Sequence, residues 1–176
     1  MPNQPPRTHT VPMQIDPIRI LITGGTFDKH YDEIHGELTF RDTNLPEILK
    51  QIRSTVPVEL EINQLIDSLQ MQEENRQRIL GACRRAPESR IIVTHGTDTM
   101  AVTARVLGEA NLGKTIVLTG AMVPYKIAGS DALFNLGTAF AAVQLAGPGV
   151  WIAMNGRVFA WDKVRKNRAE GLFEEI

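Results

Sequence analysis

The apolar residues of this chain form five short runs rich in isoleucine and valine, separated by longer segments that mix apolar and polar positions. Runs of this length and composition are typical of buried β-strands. Strands are therefore predicted over residues 18–23, 57–62, 90–94, 115–119 and 150–154.

The segments between these runs carry the start and stop signals of helices. Helices are predicted over residues 45–54, 72–85, 99–110 and 132–145. Asn44 is the predicted N-cap of the first helix, with Pro46 in its first turn. Pro87 follows the second helix, Asp98 precedes the third, and a Gly-Pro pair follows the fourth. The pattern thus alternates strand and helix.

Alternating strands and helices predict an α/β fold with an open, mostly parallel, doubly wound sheet of the flavodoxin-like kind, in three layers. Each apolar run is followed by polar or glycine-rich residues: TGGTF, NQLIDS, THGTDT, TGAMVP and MNGRVF. The carboxyl ends of parallel strands lie at one edge of the sheet, where ligands bind. The sequence therefore predicts a small-molecule site built from five segments.

The length of 176 residues corresponds to about one domain. Residues 1–17 hold five of the ten prolines and no apolar run, so we expect a poorly ordered tail there. Residues 18–176 are predicted to form a single domain, and residues 157–176 to add one short strand and a helical turn.

Composition excludes several classes of protein. Nineteen basic and twenty acidic residues give a net charge of −1, so no broad field attracts nucleic acid or anionic lipid. No stretch approaches the roughly 18 apolar residues of a membrane helix, and no secretory signal is visible. We expect a cytoplasmic protein; a periplasmic protein that has lost its signal is the alternative. The single cysteine, Cys83, has no partner for an internal disulfide.

Motifs of common cofactor sites are missing. The sequence has no GxxxxGKS/T phosphate loop and no GxSxG nucleophile turn, and its Gly24–Gly25 pair fails the GxGxxG spacing. His30 and His35 are five residues apart, whereas a helical metal pair needs four. We therefore expect neither a cofactor nor a metal ion.

The remaining chemistry lies in two Thr-Gly motifs at two strand ends, TGGT and THGTDT. A threonine after a strand can simply cap the next helix, and Asp98 can do the same. Capping alone, however, does not readily explain two Thr-Gly motifs at two different strand ends. Glycines let the backbone approach a ligand and free N–H groups for an oxyanion. A threonine hydroxyl can attack an acyl carbon when a base, such as Asp98 or a lysine, removes its proton.

These motifs resemble a known family. TGGTF at 23–27 and VTHGTDTM at 93–100 resemble the two signature motifs of bacterial-type L-asparaginases, with Phe27 in place of the usual aliphatic residue. The resemblance continues through DSLQM, TGAMVP, SDALFNL and MNGRVFAWDKVRK. Most members carry a second, C-terminal domain of about this size. The chain is therefore similar to short-chain members that consist of the N-terminal catalytic domain, and a fragment of a longer member would look the same.

The resemblance implies the catalytic residues. Thr26 matches the first nucleophilic threonine, which would attack the side-chain amide of asparagine to give a β-aspartyl enzyme and ammonia. Thr97, Asp98 and Lys166 match a second triad, in which the lysine orients or deprotonates Thr97. Lys163 is the competing register for this lysine. Which threonine attacks first stays open.

The resemblance also implies substrate contacts. Ser68 would receive the α-carboxylate and Asp98 the α-ammonium, with Thr97 and Gly25 close by. The backbone at Ala121 would face the amide, and Asn135 and Asp131 would support it.

A lid is expected over residues 28–40. In it Tyr31 matches a catalytic loop tyrosine, although a plain loop role is as well supported.

The main functional hypothesis is an L-asparaginase with glutamine as a second substrate, since one methylene discriminates by only about 1–3 kcal/mol. A non-catalytic asparagine or aspartate sensor is the alternative, and a flavodoxin-like regulatory domain is the third. By analogy with the family we expect a homodimer or homotetramer. Because no C-terminal domain completes the pocket, we expect weaker binding of asparagine or a site completed by another dimer contact.

Overall fold

The computed structural model describes residues 15–176 of the chain. Most of the tail predicted over residues 1–17 therefore lies outside the described residues; residues 15–17 are exposed and belong to no helix or strand. None of the helices within 15–176 has the length and apolar character needed to cross a membrane.

The described part of the chain contains ten strands, four α-helices and one 3₁₀ turn. The strands are β1 Ile18–Gly24, β2 His30–Asp32, β3 Glu37–Thr39, β4 Val58–Ile66, β5 Arg90–Thr94, β6 Thr115–Thr119, β7 Gly149–Met154, β8 Arg157–Ala160, β9 Val164–Asn167 and β10 Leu172–Glu175. The helices are α1 Leu45–Gln51, α2 Glu73–Arg85, α3 Met100–Glu109 and α4 Ala132–Leu145, and the 3₁₀ turn is Thr26–Asp28.

Six strands form the central sheet, in the order β4-β1-β5-β6-β7-β8. The first five are parallel and β8 is antiparallel. Numbered along the chain, the parallel strands have the order 2-1-3-4-5 of flavodoxin-like sheets, so the predicted fold class is confirmed. Strand order reverses between β1 and β5, and this is where such sheets place their ligands.

The core lies on both faces of this sheet. Leu21 and Val93 pack into a cluster with α2 and α3, whereas their neighbours Ile22 and Ile92 pack with α1 and α4 on the opposite face. Alternate strand residues point to opposite faces, so a sheet covered on both sides needs continuous apolar strands. This confirms the three predicted layers.

The end of the chain differs from the prediction. Residues 157–176 form three short strands, β8, β9 and β10, and no helical turn. Asn155 and Gly156 have φ values of 55° and 73° and connect β7 to β8 through a two-residue hairpin turn. Asn-Gly is the preferred sequence for such a turn because both residues tolerate positive φ. β9 and β10 form a separate two-stranded sheet.

Asn44 holds the predicted N-cap position of α1, whereas Asp98 does not cap α3. The Asn44 side chain makes no capping hydrogen bond to α1; its Nδ2 donates instead to the carbonyl of Phe27. The N-cap of α3 is Thr99, and the carboxylate of Asp98 takes no part in capping. Both side chains are used for contacts with distant segments.

Candidate active site

The turns after β1 and β5 touch each other through two glycines. Gly25 has a φ of 83°, and a Cβ atom on it would lie 2.5 Å from the Cα of Gly96. Beneath them, Thr23 Oγ1 donates to the carbonyl of Thr94 at 2.7 Å. The two Thr-Gly motifs therefore meet at the point where the strand order reverses, and only glycine fits the contact.

Ser68, which follows β4, reaches the same place. A Cβ atom on Gly96 would lie 2.5 Å from Ser68 Oγ, and Thr99 Oγ1 donates to the Ser68 carbonyl at 2.9 Å. Ser68 is only 1% exposed, and its Oγ has no hydrogen-bond partner among the described residues. A buried hydroxyl without a partner is costly, so it is available to a polar ligand.

Lys166 on β9 reaches across to the start of α3. Its Nζ donates to Thr97 Oγ1 at 2.8 Å and to Asp98 Oδ1 at 2.9 Å. The lysine side chain is 11% exposed and the aspartate side chain 33%. Lys163, the competing register, precedes β9 and is exposed. An amine held against a threonine hydroxyl and a carboxylate has the geometry of an activated nucleophile.

Thr26 begins the 3₁₀ turn that follows Gly25 and is partly exposed. The next two residues anchor this turn. Phe27 is fully buried in the core, which accounts for the aromatic residue in the motif. Asp28 is also fully buried; its Oδ1 accepts from the Asn44 amide and Thr43 Oγ1, each at 3.0 Å. Burial raises the pKa of Asp28, against the effect of these hydrogen bonds.

An ion pair that sequence reasoning missed joins the Thr26 turn to the Ser68 turn. Lys29 Nζ lies 2.6 Å from Asp67 Oδ2. Burial opposes ionisation of Asp67, but the hydrogen bonds from Lys29 and the Leu69 amide, together with the charge of Lys29, outweigh it and hold the pKa of the carboxyl below its ordinary value. The signal in the sequence is a pair of opposite charges, one after TGGTF and one before Ser68.

His95, the second residue of the THGTDT motif, is fully buried. Its Nδ1 lies 2.7 Å from the Gly96 carbonyl and its Nε2 2.8 Å from Thr103 Oγ1. Because a carbonyl only accepts, Nδ1 carries the proton and the Thr103 hydroxyl donates to Nε2. Burial lowers the pKa of His95 to about 4, so the ring is neutral and serves to hold the loop to α3.

Ala121 follows β6 at the same edge and is fully buried. Its surroundings are held by Asp131, the N-cap residue of α4, and by Asn135 inside that helix. Asp131 Oδ1 accepts from the Met122 amide at 2.9 Å, and Asn135 Nδ2 donates to the Gly120 carbonyl at 3.0 Å. The backbone of this loop therefore has a defined position.

In the described part of the chain, no hydrogen bond joins the Tyr31 hydroxyl to the other candidates. Tyr31 lies on β2, opposite Leu38 of β3, and is 60% exposed. The predicted lid over residues 28–40 is thus mainly a short hairpin. Within residues 15–176, no three histidine, cysteine, aspartate or glutamate side chains are grouped as a metal ion would need.

The chain matches the family model "Asparaginase, N-terminal" over residues 17–173. It is 29% identical over 169 residues to L-asparaginase 1 of Escherichia coli K12, covering 90% of this chain and 50% of that protein.

Among solved structures, the thermostable L-asparaginase from Thermococcus kodakarensis has a TM-score of 0.79 at 29% identity, covering 91% of this chain and 51% of that one. A probable cytoplasmic L-asparaginase from Campylobacter jejuni has a TM-score of 0.76 at 29% identity, with the same coverage. The chain spans about half the length of these relatives. Because the match to the family model covers nearly all the described residues, the chain belongs to the asparaginase N-terminal family.

Proposed function

We propose that this chain hydrolyses the side-chain amide of L-asparagine, giving L-aspartate and ammonia. The observation that carries the proposal is the Lys166 amine, which donates to Thr97 Oγ1 at 2.8 Å and to Asp98 Oδ1 at 2.9 Å. Lys166 is 69 positions from Thr97 and 68 from Asp98 along the chain, so only the fold brings the three side chains together. A binding protein has no need of a lysine directed at a threonine hydroxyl.

Substrate recognition uses the polar groups around this triad. The buried Ser68 hydroxyl, which lacks a partner within the described residues, donates to the α-carboxylate. Asp98 already accepts from Lys166 through Oδ1, so the α-ammonium binds at Oδ2. With the α-carboxylate and the α-ammonium held, the side-chain amide extends between Thr97 and Thr26, past Gly25 and the backbone at Ala121.

In the first chemical step Thr26 Oγ attacks the amide carbon, and the carbon–nitrogen bond breaks. The hydroxyl proton passes to the leaving nitrogen, which departs as ammonia and leaves a β-aspartyl ester on Thr26. In the second step water gives a proton to Thr97 Oγ1 while the Thr97 hydroxyl passes its own proton to the Lys166 amine; the hydroxide attacks the ester, and aspartate leaves as a proton returns through this pair to Thr26. No metal or organic cofactor is needed.

Further parts of the proposal concern the rest of the chain. Residues 18–176 act as one catalytic domain, and Tyr31 approaches Thr26 when the β2–β3 hairpin closes over the substrate. The active form is a homodimer or homotetramer. A cytoplasmic location follows the description of the Campylobacter jejuni neighbour, and glutamine is a slower second substrate.

Ammonia release from L-asparagine tests the proposal. Thr26→Ala and Thr97→Ala should each lose roughly a hundredfold or more in kcat, the range of a lost nucleophile or base. Thr138→Ala is the matched control and should keep full activity, since Thr138 is half-buried on α4 and its hydroxyl donates only to the Phe134 carbonyl of the same helix. Circular dichroism checks that each variant is folded. A folded wild type that binds asparagine in calorimetry but releases no ammonia would favour the sensor alternative.

A further inference from the structure

Lys166 belongs to the β9–β10 sheet, whose strands do not pair with those of the central sheet, while Thr26 and Thr97 follow the central strands β1 and β5. Contacts other than strand pairing therefore set the distance between Lys166 and Thr97. We propose that Trp161 and Gly108 are positioning residues: the indole of Trp161 packs on α3 at Gly108 and thereby holds Lys166 against Thr97. The catalytic part of this inference rests on the proposed function.

The contact between Trp161 and Gly108 is possible because glycine has no side chain. A Cβ atom on Gly108 would overlap three ring atoms of the indole, with Cγ at 2.6 Å. Glycine is among the least favourable residues inside a helix, and Gly108 lies in the last turn of α3, where alanine would serve the helix better. The loss is offset by allowing the ring to lie directly on the helix backbone.

Trp161 is fixed on its other side by the central sheet. It directly follows β8, and its backbone N–H donates to the Val150 carbonyl of β7 at 3.2 Å. The indole also packs against the core cluster beneath α3. Trp161 thus joins three elements: β7, α3 and the strand that carries Lys166.

The connection from Trp161 to Lys166 leaves little slack. Gly108 lies ten positions after Asp98, which precedes α3, and at the rise of a helix this corresponds to about 15 Å. Lys166 lies five positions after Trp161, and this stretch spans at most about 18 Å even when fully extended. Because the first residues of the stretch form a turn, in which Lys163 N donates to the Ala160 carbonyl at 3.0 Å, the real reach is shorter. A displacement of Trp161 therefore passes to Lys166.

Part of the space between this segment and α3 is empty. A cavity of about 350 Å³ lies between helix and strand, lined in the middle by Ala101, Val102, Arg105 and Arg165. Trp161 lines it too, as do Thr97, Asp98 and Lys166. Besides Lys166, helix and strand are therefore joined by Val164 of β9, which is buried in the core cluster under α3, and by the indole, which lies directly against α3 at Gly108.

The test is Gly108→Ala. Non-bonded carbon atoms approach to about 3.5–4.0 Å, so the indole has to move by about 1 Å. A misplacement of 1 Å can cost a hundredfold in rate. We expect kcat for asparagine to fall 10- to 100-fold while KM changes less than about twofold, because Ser68 lies on a different segment. Trp161→Leu makes room for the new methyl group, so the double variant should retain more kcat than the product of the two single effects.

Gly137→Ala is the matched control. Gly137 also lies inside a helix, α4, and a Cβ atom there meets nothing within 4 Å. This variant should keep its kcat, and its Tm should rise by about 2–4 °C because alanine favours the helix. A loss of activity in Gly137→Ala equal to that in Gly108→Ala would overturn the proposal, as would an unchanged kcat in Gly108→Ala.

A crystal structure of Gly108→Ala separates this inference from the proposed function. The distance from Lys166 Nζ to Thr97 Oγ1 should exceed 3.5 Å; a retained 2.8 Å would overturn the inference. If the wild type releases no ammonia, the proposed function fails and this distance still decides the positioning role. Should Gly108→Ala not fold, the same distance in Trp161→Leu, whose helix is unaltered, gives the answer.

Discussion

Acidification is expected to weaken the fold through the buried imidazole of His95. The ring is fully buried and uses Nδ1 as a donor to Gly96 and Nε2 as an acceptor from Thr103. Protonation would place a second N–H on Nε2, where the Thr103 hydroxyl now donates, and would bury a positive charge. Burial is the main reason that the pKa of His95 is lowered to about 4, and the charge of Arg76 lowers it further.

The magnitude follows from the difference between folded and unfolded pKa values. An unfolded histidine has a pKa of about 6.5, so between pH 6.5 and pH 4 the unfolded chain binds one proton more than the folded chain. Stability contributed by this group is complete above pH 6.5 and falls as the pH drops toward 4. Each pH unit in this window removes about 1.4 kcal/mol, so about 2 kcal/mol is lost by pH 5.

Urea unfolding followed by circular dichroism at pH 7, 6 and 5 measures this loss. His95→Gln is the control because glutamine does not titrate, and other titrating groups are common to both proteins. Among them, the buried Asp28, whose pKa is raised by burial, and Glu88, whose pKa is lowered by Arg19, cancel in the comparison. The wild type should lose about 2 kcal/mol more than the variant between pH 7 and pH 5. Parallel pH profiles for the two proteins would refute the reasoning.

Three more predictions follow from single contacts. Arg19→Met should lower the free energy of unfolding by about 2–4 kcal/mol in urea, because it leaves Glu88, 6% exposed, without its bidentate partner; a change below 1 kcal/mol would contradict this. Gly25→Ala should lower stability by about 3 kcal/mol or more, since its φ is 83° and its Cβ meets Gly96; a wild-type Tm would count against it. Lys29→Met should raise KM for asparagine about fivefold with little change in kcat, as the Ser68 turn loosens; steady-state kinetics decide, and Lys29→Arg should restore KM.

Much of the central sheet could be predicted because its strands are buried on both faces. Strands β5 and β6 have the predicted bounds, since residues 90–94 and 115–119 each contain a short apolar run flanked by polar residues. The predicted helix 45–54 ends at Gln51 instead, and two residues later Arg53 takes a φ of 53°, which a helix does not allow. Nothing in the apolar pattern marks that change, because propensity alone sets helix ends loosely.

The pairing of charges between distant segments could not be predicted in the same way. Lys29 and Asp67 are 38 residues apart, and each would be at home on an exposed loop. Their contact exists because β1 and β4 are neighbours in the sheet and end at the same edge, as Gly24 pairing with Ile66 shows. Strand order therefore has to be known before such an ion pair can be inferred from the sequence.

The choice between Lys163 and Lys166 shows what a local pattern can add once the element is known. On a strand, alternate residues share a face, so a buried Val164 places Lys166 on the same inward side and Arg165 on the other. Arg165 is accordingly exposed, and its Nε donates to Glu174 of β10 at 2.8 Å. Predicted as part of a charged end with a helical turn, KVRKNR gives no such assignment, and Lys166 depends on the resemblance alone. Predicted as a strand, the same six residues place Lys166 on the inward face, and Lys166 is the lysine that reaches Thr97.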